Sequence, residues 1–252
     1  MFVDTHCHPY FDHFDADRDE VIKRAFNAGV EKMIVVGCDI ETNRKSLELA
    51  EKYDFMFPTL GVHPTECDNL TDEEIEFIRA NSAKIVGIGE MGMDYHHNKF
   101  SKEIQEETFR KQIRLANEFD LPCVVHSRNA AEDTLRILLD EKAKKAVFHC
   151  YSYDYEFAKK VWTAGYYTSF SGVVTYDNAK DVQEAAAKGP LDLFLIETDC
   201  PFLPPASIRG KRNDMSYVKE VAEKIAELRK MDLLACSEAI SRNSFRIFKL
   251  DK

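Results

Sequence analysis

The sequence predicts a (β/α)8 barrel, and three features of the chain lead to that fold class. Eight short apolar runs bounded by turn residues recur along its 252 residues. Segments with a helical spacing of apolar residues separate these runs. Histidine and acidic residues stand at or just after the ends of the runs, where barrels of this kind place their catalytic groups. The length is also suitable, because such barrels run to about 250 residues.

The apolar runs are the predicted strands. Several are continuously apolar, as expected for parallel strands that are buried on both faces. In chain order the runs cover residues 2–4, 33–37, 55–61, 85–90, 123–127, 146–150, 167–171 and 193–199. The distance between successive runs leaves room for one helical connection.

The segments between the runs have the period of amphipathic helices. Phe109, Ile113 and Ala116 fall on one helical face, and Val218 and Ile225 share a face of a later segment. The resulting alternation of strand and helix also fits an open doubly wound sheet. The distribution of the polar residues decides between the two folds.

Ligand-type side chains stand at the ends of six predicted strands. His6 and His8 end the first strand, His63 follows the third, Glu90 ends the fourth, His126 ends the fifth, His149 ends the sixth and Asp199 ends the eighth. In an open sheet, strand ends this far apart could not all face one point, whereas a closed barrel brings them to a common rim. The polar residues therefore favour the barrel.

The pair His6 and His8 predicts a metal site. On an extended segment, side chains two residues apart project from the same face, so both imidazoles can bind one ion. Such a pair also occurs as two surface or helix-packing histidines, but the ligand-type residues at further strand ends favour the metal. Imidazole and carboxylate ligands suit Zn²⁺, Mn²⁺ or iron, and carboxylates also accept Mg²⁺. Four histidines and two carboxylates suit two divalent ions about 3.5 to 4 Å apart, with Glu90 as the bridge.

The bulk composition predicts one globular domain, residues 1–252. With 44% hydrophobic and 31% charged residues, the chain can bury an ordinary core. It has neither a run of about 18 apolar residues nor a signal-like start, so we expect no membrane segment and a cytoplasmic location. Seven cysteines without a CxxC pair indicate reduced thiols. The net charge of −10 is unusual for a protein that wraps duplex nucleic acid, so any such contact is expected to be local.

Six sequence blocks resemble the signature of TatD-type metal-dependent deoxyribonucleases. In chain order they are DTHCH (4–8), GVHP (61–64), GEMGMDY (89–95), HSR (126–128), HC (149–150) and ETDCPFL (197–203). They keep the family's order and span almost the whole chain. Two positions depart from the family's pattern, Met93 in place of a common Leu and Met215 in place of a common Pro. The second difference removes a proline that would pre-set the first turn of the next helix.

The resemblance implies a two-metal enzyme that hydrolyses phosphodiester bonds. The implied sites are His6, His8, Glu90 and Asp199 for one ion, and Glu90, His126 and His149 for the other. The expected ions are Mg²⁺, Mn²⁺ or Zn²⁺. The expected activity is that of a DNase with 3′-end exonuclease character on single strands. Nucleic acid, with RNA as a second candidate beside DNA, is the expected partner, and the sequence indicates no protein partner.

Three residues are predicted to be catalytic: Asp199, Glu90 and His63. Asp199 is expected to orient the attacking water and to accept its proton. His63 stands in a Gly-x-His-Pro turn and is assigned to substrate contact rather than to a metal. A structural histidine that binds loop carbonyls is the alternative for His63.

Five residues are predicted to bind the substrate: Arg128, Asp94, Tyr95, Arg212 and Asn213. The planar guanidinium of Arg128 matches a phosphate, although a salt bridge with a neighbouring carboxylate is the alternative. Arg212 and Asn213 belong to a basic segment, 209–213, which would otherwise be a solvated run of charge. Asp94 and Tyr95 follow from the resemblance alone.

A related barrel hydrolase that acts on amides, lactones or small phosphoesters is the main alternative function. Many such enzymes place a carboxylated lysine at the end of the fourth strand, whereas this chain has Glu90 there and Lys84 only at the start of that strand. A non-catalytic barrel that binds a partner or stores metal is a further alternative. The complete set of ligands argues against it.

Overall fold

The computed structural model describes residues 1–97 and 99–250. They form two compact units, one made of residues 1–35 and 150–250 and the other of residues 36–97 and 99–149. The described parts of the two units contain eight strands and nine α-helices. No helix within the described ranges is long and apolar enough to cross a membrane.

The strands are β1 (Phe2–Cys7), β2 (Val30–Val36), β3 (Met56–Leu60), β4 (Gly87–Asp94), β5 (Cys123–Arg128), β6 (Ala146–Phe148), β7 (Tyr167–Phe170) and β8 (Phe194–Ile196). The helices are α1 (Arg18–Asn27), α2 (Ile40–Lys52), α3 (Asp72–Ala80), α4 (Lys102–Phe119), α5 (Ala131–Asp140), α6 (Tyr155–Thr163), α7 (Lys180–Lys188), α8 (Val218–Arg229) and α9 (Leu233–Phe248). Strand and helix alternate eight times, and this is the (β/α)8 barrel that the sequence predicts.

In the unit made of residues 1–35 and 150–250, β1 pairs in parallel with β2, and β7 pairs in parallel with β8. The Thr5 hydroxyl donates a hydrogen bond to the Ile196 carbonyl, which ties β1 to β8. Phe170 and Phe194, whose ring centroids lie 4.9 Å apart, are both fully buried. Their burial gives this unit an apolar core at β7 and β8.

In the unit made of residues 36–149, the strands β3, β4, β5 and β6 pair with one another in chain order, and every pair is parallel. Several helices begin at side-chain caps, as in α2, where the Asp39 carboxylate accepts from the Thr42 backbone N–H. Gln112 of α4 bonds both backbone groups of Val62, which fixes the segment that leads from β3 to His63.

Two of the ligand-type residues do not stand at the strand ends that the sequence predicts for them. Glu90 lies within β4, which continues to Asp94, so the prediction that it ends the fourth strand is wrong. Asp199 lies in the loop after β8, which ends at Ile196. At Asp199 the backbone has φ of 55°, a left-handed conformation that a strand cannot contain.

The path of β4 depends on glycine at Gly92. Its φ is 144°, and a Cβ atom there would lie 1.9 Å from the backbone oxygen of His126. Only a residue without a side chain lets β4 approach β5 this closely. Glycine is therefore needed beside one of the predicted metal ligands.

We expect Gly92→Ala to lower the free energy of unfolding by about 3 kcal/mol or more, because it combines backbone strain with a steric overlap. Gly210→Ala is the matched control, since Gly210 also has positive φ but no atom lies within 4 Å of the added Cβ. That variant should lose only about 1 kcal/mol. Urea denaturation of both variants measures the difference, and equal losses would contradict the close approach of β4 to β5.

Candidate metal centre

The first ligand group consists of His6, His8 and Asp199. His6 lies in β1, His8 directly follows β1, and Asp199 lies in the loop after β8. The Nε2 atoms of His6 and His8 are 3.1 Å apart, and Asp199 Oδ1 lies 3.7 Å from the first and 3.3 Å from the second. Three donor atoms thus converge on one small volume.

The spacing of these atoms fits a divalent ion. Ligand atoms held about 2.0–2.2 Å from one ion at octahedral to tetrahedral angles lie roughly 2.8–3.6 Å from each other. The three distances in the first ligand group, 3.1, 3.3 and 3.7 Å, fall in or beside this range. Imidazole nitrogen together with carboxylate oxygen is a donor set that zinc and manganese accept.

Backbone and side-chain hydrogen bonds hold the first ligand group in place. Asp199 N–H donates to the His6 carbonyl, and His8 N–H donates to the Cys200 carbonyl. The Asp4 carboxyl accepts from both the N–H and the hydroxyl of Thr198. Burial raises the pKa of Asp4 to about 8, although the hydrogen bonds from Thr198 act in the opposite direction.

The orientation of His8 is set by a neighbouring tyrosine. His8 Nδ1 lies 2.8 Å from the hydroxyl oxygen of the buried Tyr10. Because Nδ1 is engaged in this way, Nε2 is the nitrogen that faces His6 and Asp199. A partner on the second ring nitrogen is the usual means of fixing a metal-binding histidine.

The second ligand group consists of Glu90, His63, His126 and His149. Glu90 Oε1 lies 2.8 Å from His149 Nε2, 3.0 Å from His126 Nδ1 and 3.5 Å from His63 Nε2. Donor atoms of His63, Glu90 and His126 all lie within 4.8 Å of one another, a grouping that can hold a metal ion. One buried carboxylate therefore serves three imidazoles.

The charges of the second ligand group favour metal binding. Burial by itself raises the pKa of Glu90, but the nearby His149 and His63 and the hydrogen bonds from His126 and His149 outweigh it, so the pKa lies well below its usual value. Burial lowers the pKa of His63 to about 3, and the nearby His126 adds to this effect. Glu90 is consequently an anion and His63 a neutral imidazole.

Asp94 fixes the ring of His126 from the side opposite Glu90. Asp94 Oδ2 lies 3.0 Å from His126 Nε2, and it also lies 2.8 Å from His97 Nδ1. Burial acts to raise the pKa of Asp94, but the hydrogen bonds from His126 and His97 keep it well below its usual value. With Nε2 bound to Asp94, His126 presents Nδ1 toward Glu90.

Comparison with known proteins supplies the family. Residues 3–249 match the family model described as TatD related DNase. The chain belongs to the TatD family. The metal-dependent hydrolase YabD of Bacillus subtilis (strain 168) is 44% identical over 255 residues, which cover 100% of both chains. The metal-dependent hydrolase YcfH of Escherichia coli (strain K12) is 34% identical and covers 100% of this chain and 97% of its own.

A solved structure shows the same fold. The crystal structure of YjjV, a TatD homologue from Escherichia coli K12, aligns with a TM-score of 0.90 at 30% identity over 98% of each chain. The predicted barrel and the predicted family are thereby confirmed. This member of the TatD family is a metal-dependent hydrolase, and its clusters of histidine, glutamate and aspartate are the candidate metal ligands.

The five residues predicted to bind substrate have different surroundings in this TatD-family chain. Arg128 is exposed, and within residues 1–97 and 99–250 its side chain enters no ion pair. The Tyr95 hydroxyl donates to Asp133, and the buried Asp94 contacts His126. Arg212 forms a bidentate pair with Asp17, and Asn213 is buried and donates to the carbonyls of Thr198 and Phe202. Their substrate-binding roles stay predictions.

Two residues of the site escape the sequence reasoning. Tyr10 and His97 each bond a side chain of a ligand or of its partner, His8 in the first case and Asp94 in the second. Tyr10 is two residues after His8 and His97 is three after Asp94, so proximity along the chain is the signal that would have found them. His97 has no strand-end position in the sequence, so its residue type and place alone predict a loop or surface histidine.

We expect Asp94→Asn to weaken divalent-metal binding about 10- to 100-fold, because His126 loses the anion that fixes its ring and tautomer. Asp133→Asn is the control, since Asp133 accepts a hydrogen bond from Tyr95 and should leave affinity unchanged. Isothermal titration of metal-free protein with Mn²⁺ or Zn²⁺ measures both variants. Unchanged affinity in the Asp94 variant would show that His126 needs no such support.

Proposed function

We propose that this protein is a divalent-metal-dependent phosphodiesterase that hydrolyses nucleic acid, acting as a DNase from the 3′ end of single strands. The observation that carries the proposal is the buried Glu90 carboxylate with three imidazole nitrogens within 2.8 to 3.5 Å of one of its oxygens. Membership of a family described as TatD related DNase supports the choice of substrate. The proposed catalytic domain comprises the whole chain, residues 1–252.

We assign metal binding to His6, His8, Glu90, His126, His149 and Asp199, with one divalent ion for the first ligand group and one for the second; His63, although it belongs to the second group, is assigned to the substrate. Divalent cations in such a donor set supply Lewis acidity toward water and toward the phosphoryl oxygens. Activity of metal-free protein after addition of Mg²⁺, Mn²⁺ or Zn²⁺ decides among the three ions. A bridging role for Glu90 is part of the same assignment.

Asp199 has the placement of a general base. Its side chain is 14% exposed, so water reaches it, and its Oδ1 atom lies 3.3 Å from His8 Nε2. In the proposed step the water oxygen attacks phosphorus while Asp199 accepts one proton of the water, and the bond from phosphorus to the leaving oxygen breaks with its electron pair on that oxygen, which takes a proton from solvent. Asp199 orients that water because the backbone bond to the His6 carbonyl fixes its own position.

His63 is placed to contact the substrate. The Thr65 backbone N–H donates to His63 Nδ1, so the neutral ring carries its proton on Nε2, the nitrogen that faces Glu90. A protonated Nε2 donates a hydrogen bond to an oxygen and does not bind a metal. This tautomer supports the assignment of His63 to a phosphoryl oxygen.

The charge distribution favours a short contact with a single strand. The chain has a net charge of −10, so a long duplex would be repelled. Arg128 follows the ligand His126 by two residues and is exposed, which leaves its guanidinium free for a phosphate. One cation beside the site is enough to contact a phosphate at the end of a strand.

A hydrolase of amides, lactones or small phosphoesters is the second candidate. A carboxylated lysine would support it, but the lysine nearest the start of β4, Lys84, is 59% exposed and pairs with Glu51. The deciding experiment incubates metal-free protein with Mg²⁺, Mn²⁺ or Zn²⁺ and four substrates: an end-labelled single strand, a nitrophenyl phosphodiester, a cyclic amide and a lactone. Shortening of the strand from its 3′ end supports the proposal, and turnover of only the amide or lactone overturns it.

We expect Asp199→Asn to lower kcat on the single strand at least about 100-fold, because the variant cannot accept the proton. Asp192→Asn, at an exposed position, is the control and should keep full activity. Circular dichroism verifies that both variants are folded. Near-normal turnover by the Asp199 variant would remove this residue from the mechanism.

We expect Arg128→Ala to raise KM for the single strand about tenfold and to weaken the dependence of KM on salt, because one phosphate contact is lost. Arg136→Ala is a suitable control, since Arg136 is already held by Glu106 and Asp133. Steady-state kinetics at two salt concentrations measure both variants. The same KM in the two variants would contradict a role for Arg128 in binding phosphate.

A further inference from the structure

An aromatic residue follows two of the metal ligands at the same spacing. Phe11 comes three residues after His8, and its N–H donates to the His8 carbonyl. Phe202 comes three residues after Asp199, and its N–H donates to the Asp199 carbonyl. Each ring is therefore linked to its ligand by one tight, hydrogen-bonded turn.

The two rings meet and, with His13, form a surface that we name the aromatic platform (Phe11, His13 and Phe202). The ring centroids of Phe11 and Phe202 are 5.8 Å apart at an angle of 68°, and those of His13 and Phe202 are 6.0 Å apart at 74°. Edge-to-face packing of this kind leaves ring faces uncovered. Phe202 is 46% exposed and the His13 side chain 51% exposed.

The aromatic platform adjoins the first ligand group. The ring centroids of His8 and Phe11 are only 5.4 Å apart, and Tyr10, which orients His8, lies 4.9 Å from Phe11 by the same measure. One edge of the platform is thus in ring contact with a residue assigned to metal binding. The platform therefore lies beside the proposed reaction site and not on a distant surface.

Neighbouring residues hold the platform rigid. Arg212 donates to the His13 carbonyl, pairs with Asp17 and lies over the Phe14 ring at 4.7 Å. The buried Asn213 donates to the carbonyl of Phe202. Both segments are therefore fixed before any ligand binds, so little conformational entropy is lost on binding. Rigid, partly exposed rings beside a polar site are typical of stacking surfaces.

We propose that the aromatic platform stacks the nucleobase of the nucleotide next to the scissile phosphate. The inference rests on the proposed function, because a phosphodiester cleaved at His8 and Asp199 carries a base within one nucleotide of these residues. A flat π-face is the part of a nucleotide that a phenylalanine ring recognises. Every base can stack on an aromatic ring. The platform therefore distinguishes a nucleotide with a base from one without, but it does not distinguish one base from another.

The platform also favours unpaired ends as substrates. A base inside a duplex is stacked on its neighbours and paired, so its face is covered. A single strand presents the face of its terminal base without this cost. The platform and the acidic net charge therefore favour the same substrate, a short single-stranded end.

The test compares two single strands that differ only at the 3′-terminal nucleotide, which carries either a normal base or an abasic analogue. We expect wild-type protein to have a kcat/KM about 5- to 150-fold higher on the strand with the base. In Phe202→Ala and Phe202→Leu this ratio falls toward one, because both variants lack an aromatic face. Phe202→Tyr keeps the ratio, and so does Leu234→Ala, which removes another exposed apolar side chain.

A second readout is independent of turnover. A strand that ends in 2-aminopurine loses fluorescence when this base stacks, so we expect stronger quenching by metal-free wild-type protein than by Phe202→Leu. Cleavage of both strands with an unchanged ratio in the alanine and leucine variants, together with equal quenching, overturns the inference alone. If metal-loaded wild type cleaves neither strand, the proposed function fails and the inference fails with it.

Discussion

The negative charge of Glu90 is the constraint that organises the second ligand group. An ionised carboxylate inside a protein is costly unless it is paired and hydrogen-bonded. Here His63, His126 and His149 surround it, and Asp94 in turn binds the far side of His126. Each member is hydrogen-bonded to the next, so the Glu90 carboxylate can stay charged while it is buried.

The backbone provides the precision that these side chains require. β4 passes so close to β5 that no side chain fits at Gly92, and this approach sets the distance between the strands that carry Glu90 and His126. In the other unit, the bonds from Asp199 N–H to His6 and from His8 N–H to Cys200 serve the same purpose. The path of the main chain therefore determines the spacing of the ligand side chains.

The sequence predicts the barrel and the family, and the residues themselves explain why. Continuous apolar runs such as residues 33–37 indicate buried parallel strands, and His6 and His8 two apart project together because a strand alternates its faces. The end of β4 is not predictable in this way. In the sequence, Gly89 and Gly92 look like turn residues. In the structure, β4 continues through both glycines to Asp94.

The residues that hydrogen-bond to the predicted metal ligands are harder to predict from the sequence than the ligands themselves. Tyr10 and Asp94 act through hydrogen bonds to His8 and His126, and no periodicity of the sequence marks such contacts. Arg212 looked like a free cation for phosphate, but the fold places it against Asp17. Such pairings depend on loops whose paths the local sequence does not determine. The roles assigned to the individual site residues stay predictions.

The two turns that link His8 to Phe11 and Asp199 to Phe202 couple the metal ligands to the aromatic platform. In each turn the residue that would bind the ion and the residue that would face the substrate are covalently three positions apart and closed by one hydrogen bond. An insertion or deletion in either turn displaces both at once. Redesign of substrate choice in this scaffold is therefore confined to exchanges of side chain at fixed loop length.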